Sequence, residues 1–389
     1  MPRIAILGAG PTGLDAALAA AARGDDFQVF EAAPAVGGHV RRWGHVRTFT
    51  PWSMNVSPRM RAALPTAPSG AELPTGDELA RELLEPVAAL DVLRDRIHLG
   101  TRVLAVGREG RLKHEAAGDP RRAATPLRLL VAGPGGEQAI VHADVVIDAT
   151  GTYGNPNRLG DGGIDAVNER VFEERIERFL PDFEAEPQRW AGRTILLTGA
   201  GHSAQTAACA LARFARAAPG TRVVWAVRSP SPDWGVVARD PLPERAVLGA
   251  VAQQLAAGAS DAVAMRAGYV TEALHARGDR IAVTLRNGRS EEVEVDRIVA
   301  LNGAVGDPGI YRQLQVHACY ATEGPMNLAA ALLAGGGGDC LAVAPQGPEM
   351  LRNPEPGFFI LGAKSYGRNS QFLVQAGWRQ VDAVFGALI

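Results

Sequence analysis

The apolar pattern of the chain uses one arrangement twice. Ile4–Leu7 is a short continuous apolar run, the length of a buried strand. A glycine-punctuated turn follows, then an Ala/Leu-rich helical stretch from Leu14 to Ala22, then a second strand, Phe27–Phe30. Far downstream Thr194–Thr198 again runs into glycines, into an alanine-rich helix reaching about Ala215, and into the strand Arg222–Val227. Between the two, Thr75–Glu78 predicts a helix start, and the helix continues towards Leu90 with Pro86 expected to kink or interrupt it. Ile97–Val106 reads as one strand, the alternation up to Val141 as a small antiparallel meander, and Ala143–Ala149 as a buried strand. Residues 162–189 read as a partly helical connector. Beyond the second unit come a helix near Leu248–Ala257, a hairpin of Ile281–Leu285 and Glu291–Val295 around Asn287-Gly288, and the strand Arg297–Leu301. A last apolar strand leads through Gly362 into a helix over about Asn369–Phe385.

The glycines give the pattern its chemistry. Gly8, Gly10 and Gly13 have the G-x-G-x-x-G spacing between strand and helix. The first allows the tight turn, the second a close approach of backbone to a pyrophosphate, and the third close packing of helix on strand. The pyrophosphate then sits on the N-terminal amides of the helix. Glu31, at the end of the second strand, stands where an acid binds a ribose hydroxyl. The second unit carries Gly199, Gly201, His202, Ser203 and Ala204, a G-x-G-x-x-A variant, and has Arg228 where the first has its acid. An arginine there pairs with a 2′-phosphate, so NADPH is expected, with NADH left open. The fold class is α/β. We expect two Rossmann-like three-layer dinucleotide-binding domains, the second inserted into the first, with the meander attached. The boundaries read as 1–158 with 320–389 for the first and 159–319 for the second.

Three further stretches carry a resemblance. Glu31 is followed by Gly37-Gly38, Ala149-Thr150-Gly151 ends a strand, and Gly362-Ala363 ends the last one. Together with the two glycine loops these resemble the flavoproteins with two dinucleotide-binding domains, closest in look to flavin-dependent monooxygenase-like members. The resemblance implies FAD on the first unit and NAD(P)H on the second. It implies that Gly37 and Gly38 pass near the flavin, that Val103 touches the adenine, and that Thr150 and Gly151 lie at the crossover. The family's third signature ends in Gly-Asp, and here Ala363 replaces the acid that holds the ribityl chain. That contact is expected from Ser365 or Lys364 instead. The polar stretch 39–58 would run along the flavin, with His39, Arg42, Trp43, Thr50, Ser53 and Asn55 as candidates to line the site. His39, Trp43 and Asn55 are catalytic candidates by position. Lys364 is another, as a cation that stabilises a reduced anion. The proline-rich stretch Ser229–Arg245 resembles a loop that covers a site.

Composition narrows the partners. The 389 residues carry a net charge of −2 and are 47% hydrophobic, which gives no electrostatic case for nucleic acid or an anionic membrane. No apolar run reaches the roughly 18 residues of a membrane span, and a strand starts at once, so a cytoplasmic location is expected. A small-molecule substrate is the expected partner, with a homodimer possible, and no metal ligand set is apparent. The acceptor of the electrons is less constrained. A monooxygenase-type enzyme acting on a small molecule is the favoured expectation, although the linker motif F-x-G-x-x-x-H of related monooxygenases is missing. A reductase serving a disulfide, quinone or protein is the alternative, and a non-catalytic flavin-binding sensor or assembly subunit the third. Cys209, Cys319 and Cys340 form no C-x-x-C pair, Cys209 falls in an Ala-rich helix, and Cys319 with Cys340 pair only if the fold brings them together.

Overall fold

The computed structural model describes residues 1–237, 240–334 and 347–388. They form two compact units, 1–155 with 304–389, and 156–303. Residues 304–319, expected in the second unit, fall in the first. The reason is burial: Tyr311 and Leu314 are packed among Leu127, Leu129, Phe358 and Ile360.

The first unit is built on a parallel five-stranded sheet. Its order is Phe358–Ile360, Val145–Asp148, Arg3–Leu7, Asp26–Phe30 and Ile97–His98. Ile4 lies between Phe27 and Val145 in register. The strand order reverses between Arg3–Leu7 and Val145–Asp148, so the crevice beyond their C-terminal ends is the ligand position of an open α/β sheet. One face of the sheet (Ile4, Ile6, Val29, Ile147) packs under the helix Pro11–Arg23 and the C-terminal helix Val374–Ala387. The other face (Ala5, Leu7, Val146) packs on the antiparallel sheet Arg102–Arg108, Leu127–Ala132 and Gln138–Ala143. These are the three expected layers.

Local chemistry explains the differences from expectation. The first helix begins at Pro11, three residues early, because proline supplies helical φ and has no N–H to leave unbonded there. It ends on Gly24, left-handed at φ 72°, whose N–H caps the Ala20 and Ala21 carbonyls. The expected strand Ile97–Val106 is two strands, broken at Gly100 with φ 65°. Its first part joins the parallel sheet and its second the meander. Thr75 and Glu78 form a reciprocal capping box at the predicted helix start. Pro86 does not interrupt the helix that follows. A wide π-type segment, Leu79–Leu84, precedes it and leads directly into Glu85–Ala88. The last helix starts at Val374 rather than Asn369, after a separate short turn, Gly362–Tyr366.

The second unit repeats the plan. Its parallel sheet has the order Val263–Ala267, Arg222–Val227, Thr194–Thr198, Arg297–Ala300 and Ile176–Glu177. The edge strand Ile176–Glu177 lies in the stretch read as a connector. The predicted hairpin is the longer pair Arg280–Asn287 and Arg289–Val295, turning at Gly288 with φ 67°. Val270–Arg277 adds a third strand, giving this unit its own antiparallel sheet. Leu196, Ala226 and Ile298 pack against Leu274, Ile281 and Val283 across the two sheets. The helices His202–Ala217 and Pro243–Ala256 pack on each other. Among the described residues no helix is long and apolar enough to cross a membrane.

Candidate functional site

The first glycine loop is tight at two glycines and open at the third. Gly8 has φ 96°, and a Cβ there would lie 2.8 Å from the Ala149 carbonyl oxygen. A Cβ on Gly13 would lie 1.9 Å from the Gly8 carbonyl oxygen, so only glycine lets the helix come this close. A Cβ on Gly10 would meet nothing within 4 Å. That free space leaves the backbone open to a close approach by a ligand, as the second glycine of such a loop requires. Glu31 Oε2 accepts from Ala9 N at 2.8 Å and Oε1 from Ala33 N at 2.8 Å, which fixes the acid beside the loop. Gly37, left-handed at φ 67°, donates its N–H to the Ala9 carbonyl at 3.0 Å. A Cβ on Gly38 would lie 2.4 Å from that of Ala33. The Gly37-Gly38 pair and the first loop are thus one folded piece.

His39, on the short helix Gly38–Arg41, lies beside Gly151 and Gly154 and sets its ring edge-on to Tyr153, 5.9 Å between centroids. Burial lowers its pKa. Glu31 opposes this, and Arg42 and Arg102 add to it. The ring is therefore neutral near pH 7. The other candidates of this stretch have structural duties. Asn55 is buried, its amide donates to the Thr50 and Pro51 carbonyls at 2.8 and 3.0 Å, and its oxygen accepts from the Thr50 hydroxyl. It holds its own loop rather than presenting a group to a ligand. Trp43 packs against Gly76 and the core, and its indole N–H is buried without a partner. Ser53 and Arg42 are exposed. Val103 is half-buried on the meander against the cluster holding Leu7 and Phe30.

At and beyond the C-terminal ends of the neighbouring strands Val145–Asp148 and Phe358–Ile360, polar groups are buried together. Thr150 donates its N–H and hydroxyl to Asp148 Oδ1, at 3.1 and 2.7 Å. Lys364 donates to Asp148 Oδ2 at 2.6 Å and to Thr150 Oγ1 at 3.2 Å, with its ammonium 5.0 Å from the Tyr311 ring centroid. Lys364 is thus neither a surface lysine nor a free cation. Ser365 is spent as well: its hydroxyl donates to the Gly362 carbonyl and accepts from Gln380, which also takes the Gly362 N–H. Ala363 has no polar side chain. Neither Ser365 nor Lys364 stands in for the missing acid by a free side-chain group. The residues present therefore fit a dinucleotide at the first loop and lack the family's side-chain contact after the last strand.

The second loop has the same geometry. Gly199 has φ 110°, and a Cβ there would lie 2.2 Å from the Leu301 carbonyl oxygen. A Cβ on Gly201 would meet nothing within 4 Å. Ala204 is fully buried at the third position, His202 opens the helix, and Ser203 and Arg228 are exposed. Burial lowers the His202 pKa; Arg245 adds to this and Asp240 opposes it. The proline-rich stretch lies against this loop, because the Trp234 carbonyl accepts from the Gln205 side chain at 3.2 Å. Sequence reasoning missed Gln205. Its only signal was a buried-face amide one turn into an alanine-rich helix.

Among the described residues no cluster of metal-ligating side chains occurs. Burial raises the Cys209 thiol pKa, on the helix of the second unit. Cys319 is buried in the first unit, and Cys340 and the glycine run 335–338 lie outside the described residues.

Comparison with known proteins agrees with this geometry. The family model described as pyridine nucleotide-disulphide oxidoreductase matches residues 2–319. A comparison with curated proteins gives no match. Among solved structures, the bacillithiol disulfide reductase Bdr from Bacillus cereus superposes with a TM-score of 0.73 at 17% identity, covering 99% of this chain and 98% of that one. The thioredoxin reductase of T. acidophilum gives 0.60 at 14% identity, with 99% and 98% covered. The ornithine N-hydroxylase of Kutzneria sp. 744 gives 0.66 at 16%, again with 99% and 98% covered. At these identities the likeness is one of fold. With the family model spanning both glycine loops, the chain belongs to the pyridine nucleotide-disulphide oxidoreductase family, within the FAD/NAD(P)-dependent oxidoreductases.

Proposed function

We propose that the protein is an FAD-dependent oxidoreductase reduced by NADPH, and that it passes the electrons to oxygen to oxygenate a small molecule. One observation carries the two-nucleotide part of this reading. Gly10 and Gly201, the second glycines of the two loops, both open on empty space, while their neighbours are packed to the limit. Gly8, Gly10, Gly13, Glu31, Gly37 and Gly38 would hold FAD, with Thr150 and Gly151 at the edge of the crevice. Gly199, Gly201 and the helix start His202–Ala204 would hold the pyrophosphate of NADPH, and Arg228 its 2′-phosphate. FAD, when bound, supplies the hydride and oxygen chemistry; the protein orients it and decides where the electrons go. His39, neutral and half-buried beside Gly151, is the side chain best placed to hold or move a proton there.

The choice of acceptor rests on the cysteines. Cys209 and Cys319 lie in different units, and burial keeps the Cys209 thiol protonated. Among the described residues both are free thiols, and neither is joined in the close pair that a disulfide-reducing centre uses. The family match and the fold shared with bacillithiol disulfide reductase and thioredoxin reductase favour the second reading, a reductase with a disulfide, quinone or protein acceptor. Absorbance of the FAD-loaded protein, reduced anaerobically by NADPH and then mixed with oxygen, separates them. A transient spectral species before the oxidised spectrum returns is the expected result. Slow, featureless reoxidation would assign a reductase. Absence of reduction with FAD bound would assign a sensor or assembly role.

A further inference from the structure

The two glycine loops are held from behind by different means. In the first unit the Ala9 carbonyl is taken by a backbone group, the Gly37 N–H. In the second, the equivalent Ala200 carbonyl accepts from the side chain of Gln205, Nε2, at 2.9 Å. The neighbouring Gly199 carbonyl accepts from the indole N–H of Trp225 at 2.8 Å. Gln205 and Trp225 are 1% and 0% exposed. The same Gln205 amide donates to the Trp234 carbonyl, and the Trp234 ring stands edge-on to Trp225, 5.3 Å between centroids. Two loop carbonyls, two tryptophans and one glutamine make a closed circuit. The circuit lies beside the start of the helix His202–Ala217. Gly235, with φ 65°, passes so close that a Cβ there would lie 3.2 Å from His202 Nε2.

We propose that Gln205 and Trp225 are positioning residues for the nicotinamide nucleotide, an inference that rests on the nucleotide reading given above. A peptide plane points its carbonyl and its N–H in opposite directions. Tying the Gly199 and Ala200 carbonyls inward fixes the following amides outward, where with the helix N-terminus they form an anion-binding concavity. Freed, those carbonyls turn their negative ends toward the phosphates. Because Trp234 is fastened by the same glutamine, its indole reports the state of the loop.

The test is titration of the FAD-loaded protein with NADP⁺, read by tryptophan fluorescence. Gln205→Met keeps the side-chain length and removes the donor. Trp225→Phe keeps a ring in the core and removes the indole N–H. Each is expected to raise the NADP⁺ Kd about fivefold to tenfold, the effect of losing one hydrogen bond at the loop. The part of the wild-type fluorescence change that Trp234→Phe abolishes should also vanish in Gln205→Met. Circular dichroism and FAD content identify a variant that has failed to fold, and the other variant then decides. Unchanged affinity in either folded variant would overturn the inference. A wild-type protein that binds FAD but neither NADP⁺ nor NAD⁺ would instead overturn the nucleotide reading beneath it.

Discussion

The ammonium of Lys364 lies 2.6 Å from Asp148 Oδ2, and the two side chains are 2% and 0% exposed. The pair joins the ends of adjacent parallel strands, Val145–Asp148 and Phe358–Ile360. Through Thr150, whose Cα would lie 3.2 Å from a Cβ on Gly8, it also braces the first glycine loop. A buried charge is tolerated only with its partner, and removing one member strands the other. Lys364→Met and Asp148→Asn should each lower the unfolding free energy by about 3–5 kcal/mol. The double variant should be more stable than either single one. Urea unfolding of the four proteins measures this, and additive losses would show that the two groups do not interact.

Asp15 gives the stability a pH dependence of unusual sign. It is fully buried on the first helix, where it accepts from Ser57 Oγ at 2.5 Å and from Arg59 at 2.6 Å. Burial is the largest influence and pushes its pKa from 3.8 to about 6, against the opposing pull of Arg59 and Ser57. The folded chain therefore holds this proton more tightly than the unfolded chain. The linked stability is complete below about pH 4 and is lost as pH rises through about 6, amounting to no more than about 3 kcal/mol. Asp15→Asn cannot titrate. Its stability relative to wild type should rise between pH 4 and 7 in urea melts, and a flat difference would remove the argument.

How much of this was legible in the sequence depends on the range of each interaction. The glycine loops were legible because three positions in six residues encode a turn, an opening and a helix contact, and the structure shows all three. The capping box of Thr75 and Glu78 is equally local. The division of labour among polar residues was not. Asn55 was a site candidate by composition, and only the folded loop shows its amide satisfied by Thr50 and Pro51. Lys364 meets Asp148 from 216 positions away. Glu355 takes Arg108 and Arg122 from more than 230 positions away, in a fully buried cluster that no local pattern announces. Residues 304–319 were misplaced for the same reason, since their partners Leu127 and Phe358 are remote in sequence.

Gly10 and Gly13 should separate ligand binding from folding. Gly10 has φ −85° and open space around an added Cβ, so Gly10→Ala is expected to change stability by less than about 0.5 kcal/mol. The new methyl stands where the phosphates would approach, so bound FAD should be lost. Gly13→Ala places its methyl 1.9 Å from the Gly8 carbonyl oxygen and must push the helix off the sheet. It should destabilise the fold by about 1–3 kcal/mol or more. Denaturation curves and the flavin absorbance of the purified variants give both quantities. Loss of folding in Gly10→Ala would contradict the open geometry.

Arg228 sets the expected coenzyme preference. It follows the strand Arg222–Val227 and is exposed at the position where the first unit has Glu31. A guanidinium there pairs with a 2′-phosphate and has nothing to grip in NADH. Arg228→Ala should therefore lower kcat/KM for NADPH about tenfold to hundredfold, the worth of a charged hydrogen-bonded contact, and leave NADH nearly unchanged. Steady-state rates with both coenzymes measure the ratio. Salt should reproduce the effect in the wild-type protein, since an exposed ion pair is screened within about 10 Å at 0.1 M. A parallel fall with both coenzymes would mean that Arg228 supports the loop rather than reading the phosphate.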